Sequence, residues 1–273
     1  MGELSLEQDP KAVLERAALI MDSFCAEVPA RNLSSLVKAT NLPRSTVHRL
    51  AEQLVKVGWL ERMPYGYRVG TRLFEVGTRA GRYERLMARS GPWLQELLRT
   101  TQRSVHLGVL DGADVVYLVK LAMRNSQVPT RPGGRKPAHS TGLGKAMLAF
   151  SPDVHLDAVL ERGLTRYTPR TISNEESLRQ VLATIQETEV AYDFEETVPG
   201  VYCVAAPVRG SGNAIAAVSV TGPREGFDVN VLSRAVKNAA HGIWNDLFGP
   251  GRVYGYGMGP TVDDGSHSLT AAS

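Results

Sequence analysis

Five polar side chains fall within six positions of this 273-residue chain: Arg44, Ser45, Thr46, His48 and Arg49. Guanidinium, hydroxyl and imidazole groups donate to phosphate oxygens and to base edges, so a helix face built from them suits duplex DNA. A second suggestive stretch is Thr141-Gly142-Leu143-Gly144, where small residues open a helix after a proline-rich loop. Free N–H groups at such a start favour an anion. Gly144-Lys145 tempts a phosphate-loop reading, which fails. His139 stands where the first glycine belongs, and Ala146 replaces the magnesium-binding Ser or Thr. The histidines His106, His139, His155 and His241 have no metal-ligand spacing and read as structural or surface residues. No metal site, cofactor or catalytic residue is expected.

The elements that must carry the first group are legible around it. Leu33, Leu36 and Val37 give one apolar stripe on a short helix, and Asn32 precedes it as an N-cap. Thr40-Asn41-Leu42 supplies a turn, and Pro43 fits the first turn of a second helix. Val47, Leu50, Leu54 and Val57 then face inward, leaving the five polar residues outside near the N-terminus, the end a recognition helix presents to the major groove. Runs 59–62 and 65–69 flank Met63-Pro64 as a small wing, with Arg62 and Arg68 placed to touch the DNA backbone. From Arg31 to Arg89 there are twelve lysines and arginines against four acids, while the whole chain carries only +3. A basic segment on an otherwise acidic chain is the electrostatic footprint of a DNA-binding module.

The length holds two modest domains, and no apolar run reaches the ~20 residues of a membrane helix. Cys25 and Cys203 lie far apart, which fits a reduced cytoplasm. The expected organisation is a winged helix-turn-helix over 1–70, its first residues a mobile tail; a linker helix over 71–90; a second domain over 91–248; and a disordered tail over 249–273. A first helix covers Ala12 to Phe24, and Gly91-Pro92 restarts the chain. Val105–Leu110 and Val115–Leu121 read as a hairpin, Thr141 to Phe150 as a helix, and Ser173 with Glu176 as a capping box. Val201–Val208 and Ala214–Thr221 read as strands and Asp228 to Phe248 as a helix. The mixture predicts an α+β domain with an antiparallel sheet.

Three segments carry a family resemblance: LPRSTVHRLAEQL in the second helix, HSTGLGKAMLA at 139–149, and AYDFEETVPGVYCVAAPV at 191–208 continuing to AAVSVTGP at 216–223. The chain resembles the IclR family of bacterial transcriptional regulators over roughly residues 12 to 248. The resemblance implies a winged helix-turn-helix, a linker helix and a GAF-like effector-binding domain. It also implies dimers or dimers of dimers on palindromic operators, controlling catabolic operons in response to small organic acids. It places the effector at Gly142, Leu143, Asp193, Val201, Cys203, Ser219 and Thr221. Asp193 would accept a hydrogen bond from a ligand hydroxyl or amide.

The expected function is a cytoplasmic, ligand-responsive repressor of a catabolic operon, its effector a small organic acid or an aromatic acid or amide. An enzyme reading lacks an assembled nucleophile, base and oxyanion donor. A constitutive DNA binder with a pocket filled by its own side chains is the other rival. Glu195 and Glu196 read as a solvated turn. The loop from Arg124 to Lys136 is unusually basic, through Arg124, Arg131, Arg135 and Lys136. It suits an acidic effector, a tetramer contact or plain solvation.

Overall fold

The computed structural model describes residues 12–249 except 26, 27, 80, 127 and 211. The expectations for the N-terminal tail (residues 1–10) and, Gly249 apart, for the 249–273 tail fall outside it. The chain begins with α1 (Val13–Asp22), β1 (Ala30–Arg31), α2 (Leu33–Thr40) and α3 (Arg44–Lys56). The wing strands β2 (Leu60–Met63) and β3 (Gly66–Val69) follow, and β1 pairs with the outer side of β3. Local chemistry sets these boundaries. The Asn32 side chain accepts from Ser35 N–H at 2.8 Å, capping α2. Asn41 takes the left-handed conformation that ends α2, and its N–H closes on Val37 O at 2.9 Å. Pro43 sits at the N-cap of α3, one residue before the position expected. A core of Ile20, Leu36, Leu42, Val47, Leu50, Ala51, Leu54, Leu60 and Tyr67 holds the module together. Val57 is not part of it; α3 has ended there and the side chain is exposed. Gly66 is required because a Cβ would lie 2.3 Å from Arg31 O, where β1 crosses the wing.

The segment expected as one linker helix is two. Helix α4 (Thr71–Thr78) buries no side chain, and Phe74 is exposed. A 3₁₀ turn at Gly81–Tyr83 leads into α5 (Glu84–Thr101), which runs straight through Gly91-Pro92. Proline forfeits one helical N–H, but α5 buries Leu86, Leu94 and Leu97 on both sides of it. Tertiary packing overrides the local break signal.

The second domain is a six-stranded antiparallel sheet. Its strands are β4 (Ser104–Asp111), β5 (Asp114–Leu121), β6 (Arg135–Pro137), β7 (Ala191–Phe194), β8 (Val201–Arg209) and β9 (Ala214–Pro223), in the order β6-β5-β4-β9-β8-β7. The other helices are α6 (Gly142–Leu148), α7 (Asp153–Arg162), α8 (Glu175–Thr188) and α9 (Val229–Phe248). Strand alternation splits the side chains between two cores. Val105, Leu107, Val109, Val204, Val218 and Val220 face α5 and α9. Ala205, Ala217 and Ala191 face α6 and α8. Gly144 lets α6 approach: a Cβ there would lie 2.2 Å from Ala138 O. Helix α8 is capped by Asn174, whose side chain accepts from Ser177 N–H at 2.9 Å, and not by Ser173. The Ser173 hydroxyl accepts from Arg166 instead, at 2.8 Å.

Candidate DNA-reading face and effector cavity

On α3, Arg44, Ser45, His48 and Arg49 are exposed and Thr46 is half-buried, while Val47 and Leu50 are buried beneath them. One helix therefore separates a polar outer face from its anchoring face, as its spacing requires. Arg44 donates to Ser34 Oγ of the preceding helix at 3.2 Å. The wing arginines are engaged within the module. Arg62 pairs with Glu52 of α3 and lies over the Tyr67 ring at 5.5 Å; the Tyr67 hydroxyl donates to Glu52 at 2.8 Å. These contacts hold the Glu52 carboxyl below its ordinary range, the Tyr67 hydrogen bond first. Arg68 donates to Glu61 at 2.7 Å, and Glu61 also accepts from Thr71 N–H at 3.1 Å, at the start of α4.

The second site is a cavity on the α6 side of the sheet. Register explains its wall: Asp193, Cys203 and Thr221 lie side by side across β7, β8 and β9. His106 of β4 lies opposite Ser219 of β9. Six residues placed there from the resemblance meet at this cavity: Gly142, Leu143, Asp193, Val201, Cys203 and Thr221. The seventh, Ser219, is fully buried behind it, its hydroxyl 3.3 Å from His106 Nδ1. The cavity itself is narrow, about 30 Å³, and the non-atom space reaches about 430 Å³ only when the open mouth is counted.

Several lining residues are not among the seven placed here from the resemblance. His106 is buried, with Nε2 2.8 Å from Thr130 Oγ1 and its ring edge-on to Tyr117. Burial, with Lys120 nearby, drives its pKa down to about 3, so the ring is a neutral hydrogen-bonding group. Tyr117 is pushed well above its ordinary range by burial, and Cys203 up to about 12, so both keep their protons. A thiol in that state is a wall group and not a nucleophile. Thr197 and Val198 complete the wall from the turn after β7, and Lys136 from β6.

Behind Asp193 lies an ion pair that also escaped the sequence reading. Lys145, fully buried on α6, pairs with Glu196, which is buried and not a solvated turn residue. The reason is the turn after β7, which folds inward: Glu196 N–H donates to Asp193 Oδ1 at 2.7 Å, and Thr171 Oγ1 donates to Glu196 O at 2.5 Å. Burial raises Glu196 to about 7 and Asp193 to about 6, and Lys145 pulls both the other way. Among the described residues, Glu196 Oε2 has no hydrogen-bond partner. Glu195, by contrast, is partly exposed and pairs with Arg170 at 3.1 Å. Among the described residues no group of three or more His, Cys, Asp or Glu is placed to hold a metal ion, and no helix is long and apolar enough to cross a membrane.

A winged helix-turn-helix followed by a domain with a lined internal cavity defines a transcriptional regulator with separate DNA-binding and effector-binding parts. Comparison with known proteins gives the family. Residues 13–64 match the IclR helix-turn-helix domain, and residues 82–244 match the C-terminal domain of the bacterial transcriptional regulator IclR. The chain belongs to the IclR family. It is 34% identical over 213 residues to the HTH-type transcriptional regulator XynR of Escherichia coli K12, covering 76% of this chain and 84% of that protein. It is 32% identical over 249 residues to the glycerol operon regulatory protein of Streptomyces coelicolor, covering 88% and 97%. The crystal structure of an IclR homolog from Microbacterium hydrocarbonoxydans, complexed with 4-hydroxybenzoate, superposes with a TM-score of 0.77 at 29% identity, covering 86% of this chain and 99% of that one.

Proposed function

We propose that this protein represses a catabolic operon from the cytoplasm and lets go when a small organic acid, or an aromatic acid or amide, enters the cavity on the α6 side of the sheet. Two copies, as a dimer or a dimer of dimers, would present Arg44, Ser45, Thr46, His48 and Arg49 to the half-sites of a palindromic operator. Arg62 and Arg68 would stand beside them on the wing. The observation that carries this reading is the cavity itself. Asp193, Cys203 and Thr221 from three adjacent strands converge with Gly142 and Leu143 on one lined space. The complex of a homologous regulator with 4-hydroxybenzoate supports an organic acid as the class of effector.

For the effector to control DNA binding, its affinity must differ between the DNA-bound and free states. The test is a gel mobility shift on the promoter beside the protein's own gene. A sequence-specific complex that weakens steeply between roughly 50 and 200 mM salt is expected, because each phosphate contact releases counterions. Absence of sequence-specific binding would sink the proposal.

A further inference from the structure

We propose that Lys136 is the cation that captures the carboxylate of this effector, so that the cavity takes a small monocarboxylic acid in preference to its neutral amide. The inference rests on the effector reading given above. It begins with the four basic residues of the 124–136 stretch, which the fold sorts into different roles. Arg124 and Arg131 are exposed. Arg135 turns away to Asp111 and Asp114 at the far end of the β4–β5 hairpin. Lys136 alone of the four lines the cavity, half-buried beside Tyr117, Val128 and Leu143.

The neighbouring cations are already committed. Lys120 donates to Val128 O and to Thr130 O, both at 2.7 Å, and Lys145 is held by Glu196. No carboxylate among the described residues lies within ion-pair reach of Lys136. A half-buried ammonium against apolar walls gains most from an anion brought to it, since partial exclusion of water strengthens the attraction. Its position is fixed by the wall. Lys136 pairs in register with Val115, Ala138 N–H donates to Ala113 O at 3.0 Å, and Gly133 N–H donates to Tyr117 O at 2.8 Å.

Topology gives the cavity two unlike ends. Lys136 stands on β6 and Asp193 on β7, the two edge strands of the sheet, yet both line one space. An acid held at Lys136 avoids the Asp193 carboxyl, which is left to accept from a hydroxyl or amine at the other end of the ligand. The class is therefore a small carboxylic acid bearing a hydrogen-bond donor.

The full-length chain should be titrated by calorimetry and thermal shift with benzoate, 4-hydroxybenzoate, lactate and gluconate, each beside its neutral amide. The expected result is that at least one acid binds the parent chain and its amide binds far more weakly. Lys136→Gln should then lose roughly tenfold or more in affinity for that acid with its own melting temperature unchanged, while Lys136→Arg keeps most of it. Acid binding undiminished in Lys136→Gln, or amides binding as tightly as acids, overturns the role of Lys136 and leaves the effector reading standing. If neither acids nor amides bind the parent chain, the organic-acid reading falls and takes this inference with it.

Discussion

Replacing Lys145 with Met removes the one cation that offsets two buried carboxyl groups, and its cost should depend on pH. Glu196 is raised from an ordinary 4.5 to about 7 even with Lys145 present, burial outweighing the ion pair. A rise of that size costs about 3 kcal/mol of stability at pH 8. Without Lys145 the carboxyl rises further, and Asp193, which Lys145 also holds down, rises with it. Breaking a buried pair from one side costs about 3–5 kcal/mol, against the roughly 5–15 kcal/mol that holds a domain folded. The sign follows from the direction of the shifts. A carboxyl whose folded-state pKa is raised contributes stability that is complete below its unfolded value and is lost as pH rises through its folded value. At pH 5 Glu196 is largely protonated in the parent chain, so little of the pair remains to be lost. The deficit of Lys145→Met should therefore be about 3 kcal/mol or more at pH 8 and under about 1 kcal/mol at pH 5. Urea unfolding followed by fluorescence of Trp93 and Trp244, both packed into the second domain, reads this out. The double variant Lys145→Met/Glu196→Leu should recover most of the loss, since an apolar pair of similar volume carries no desolvation penalty. An equal deficit at both pH values, or a double variant no better than the single one, would refute the reasoning.

Four further outcomes follow from the geometry. Arg49→Ala should weaken operator binding by about 1–3 kcal/mol in a gel shift and leave effector binding intact, because the side chain is exposed on α3, outside the second domain; joint loss of both would contradict two separable modules. Glu52→Ala should cost under about 1 kcal/mol in unfolding, as exposed ion pairs do. It should also tighten non-specific DNA binding at low salt by freeing Arg62 and removing a negative charge. Gly144→Ala drives a Cβ to 2.2 Å from Ala138 O and should destabilise the second domain severely, whereas Gly77→Ala, with nothing within 4 Å on α4, should be neutral or stabilising by up to about 1 kcal/mol in thermal unfolding. Gly81→Ala, at the joint between α4 and α5 and likewise without a neighbour within 4 Å, should leave DNA and effector affinities separately near the parent values while changing how far effector shifts DNA binding; unchanged coupling would place the control elsewhere.

What the sequence made legible was local. The helix-turn-helix was readable because Asn32, Asn41 and Pro43 punctuate it and Leu36, Val47, Leu50 and Leu54 keep a helical period. The strands β4, β5, β8 and β9 were readable because each is long and apolar enough to show itself. Strands β6 and β7 were not; three and four residues carry too little pattern. Helix α7 was missed as well, having only two buried side chains. The cavity was reached through the resemblance alone, since sheet pairing across β7, β8, β9 and β4 is non-local and no short-range signal announces it. For the same reason Lys145 looked like a failed phosphate loop and Glu196 like a solvated turn. They are 51 positions apart, and only the packing of α6 beneath the inward-folded turn after β7 makes them partners. His106 read as unremarkable because alternation shows which face of β4 it occupies, not that this face is hollow.

Within one chain, the covalent route from the cavity to the proposed DNA-reading face runs through α5. Ser104 and His106 begin the strand that walls the cavity, and only Gln102 and Arg103 separate that strand from the end of α5. Helix α5 is in turn bound to the sheet by Leu94 and Leu97 and to the end of α9, where Arg85 donates to Leu247 O at 2.7 Å. A helix so held would move with the domain as one piece, and its length, unbroken at Pro92, would carry a small displacement at Ser104 to Glu84. Beyond that point the connection changes character: a 3₁₀ turn, then α4 with no buried residue. The α4 end is tied to the wing by Glu61, which holds Thr71 N–H with one oxygen and Arg68 with the other. Drawing Arg68 to a DNA phosphate would therefore break its pairing with Glu61, the carboxylate that also joins the wing to α4. Coupling of that kind needs no wire of packed side chains across the whole molecule. It needs one stiff lever, one joint and one shared carboxylate, each at a position where a single substitution tests it.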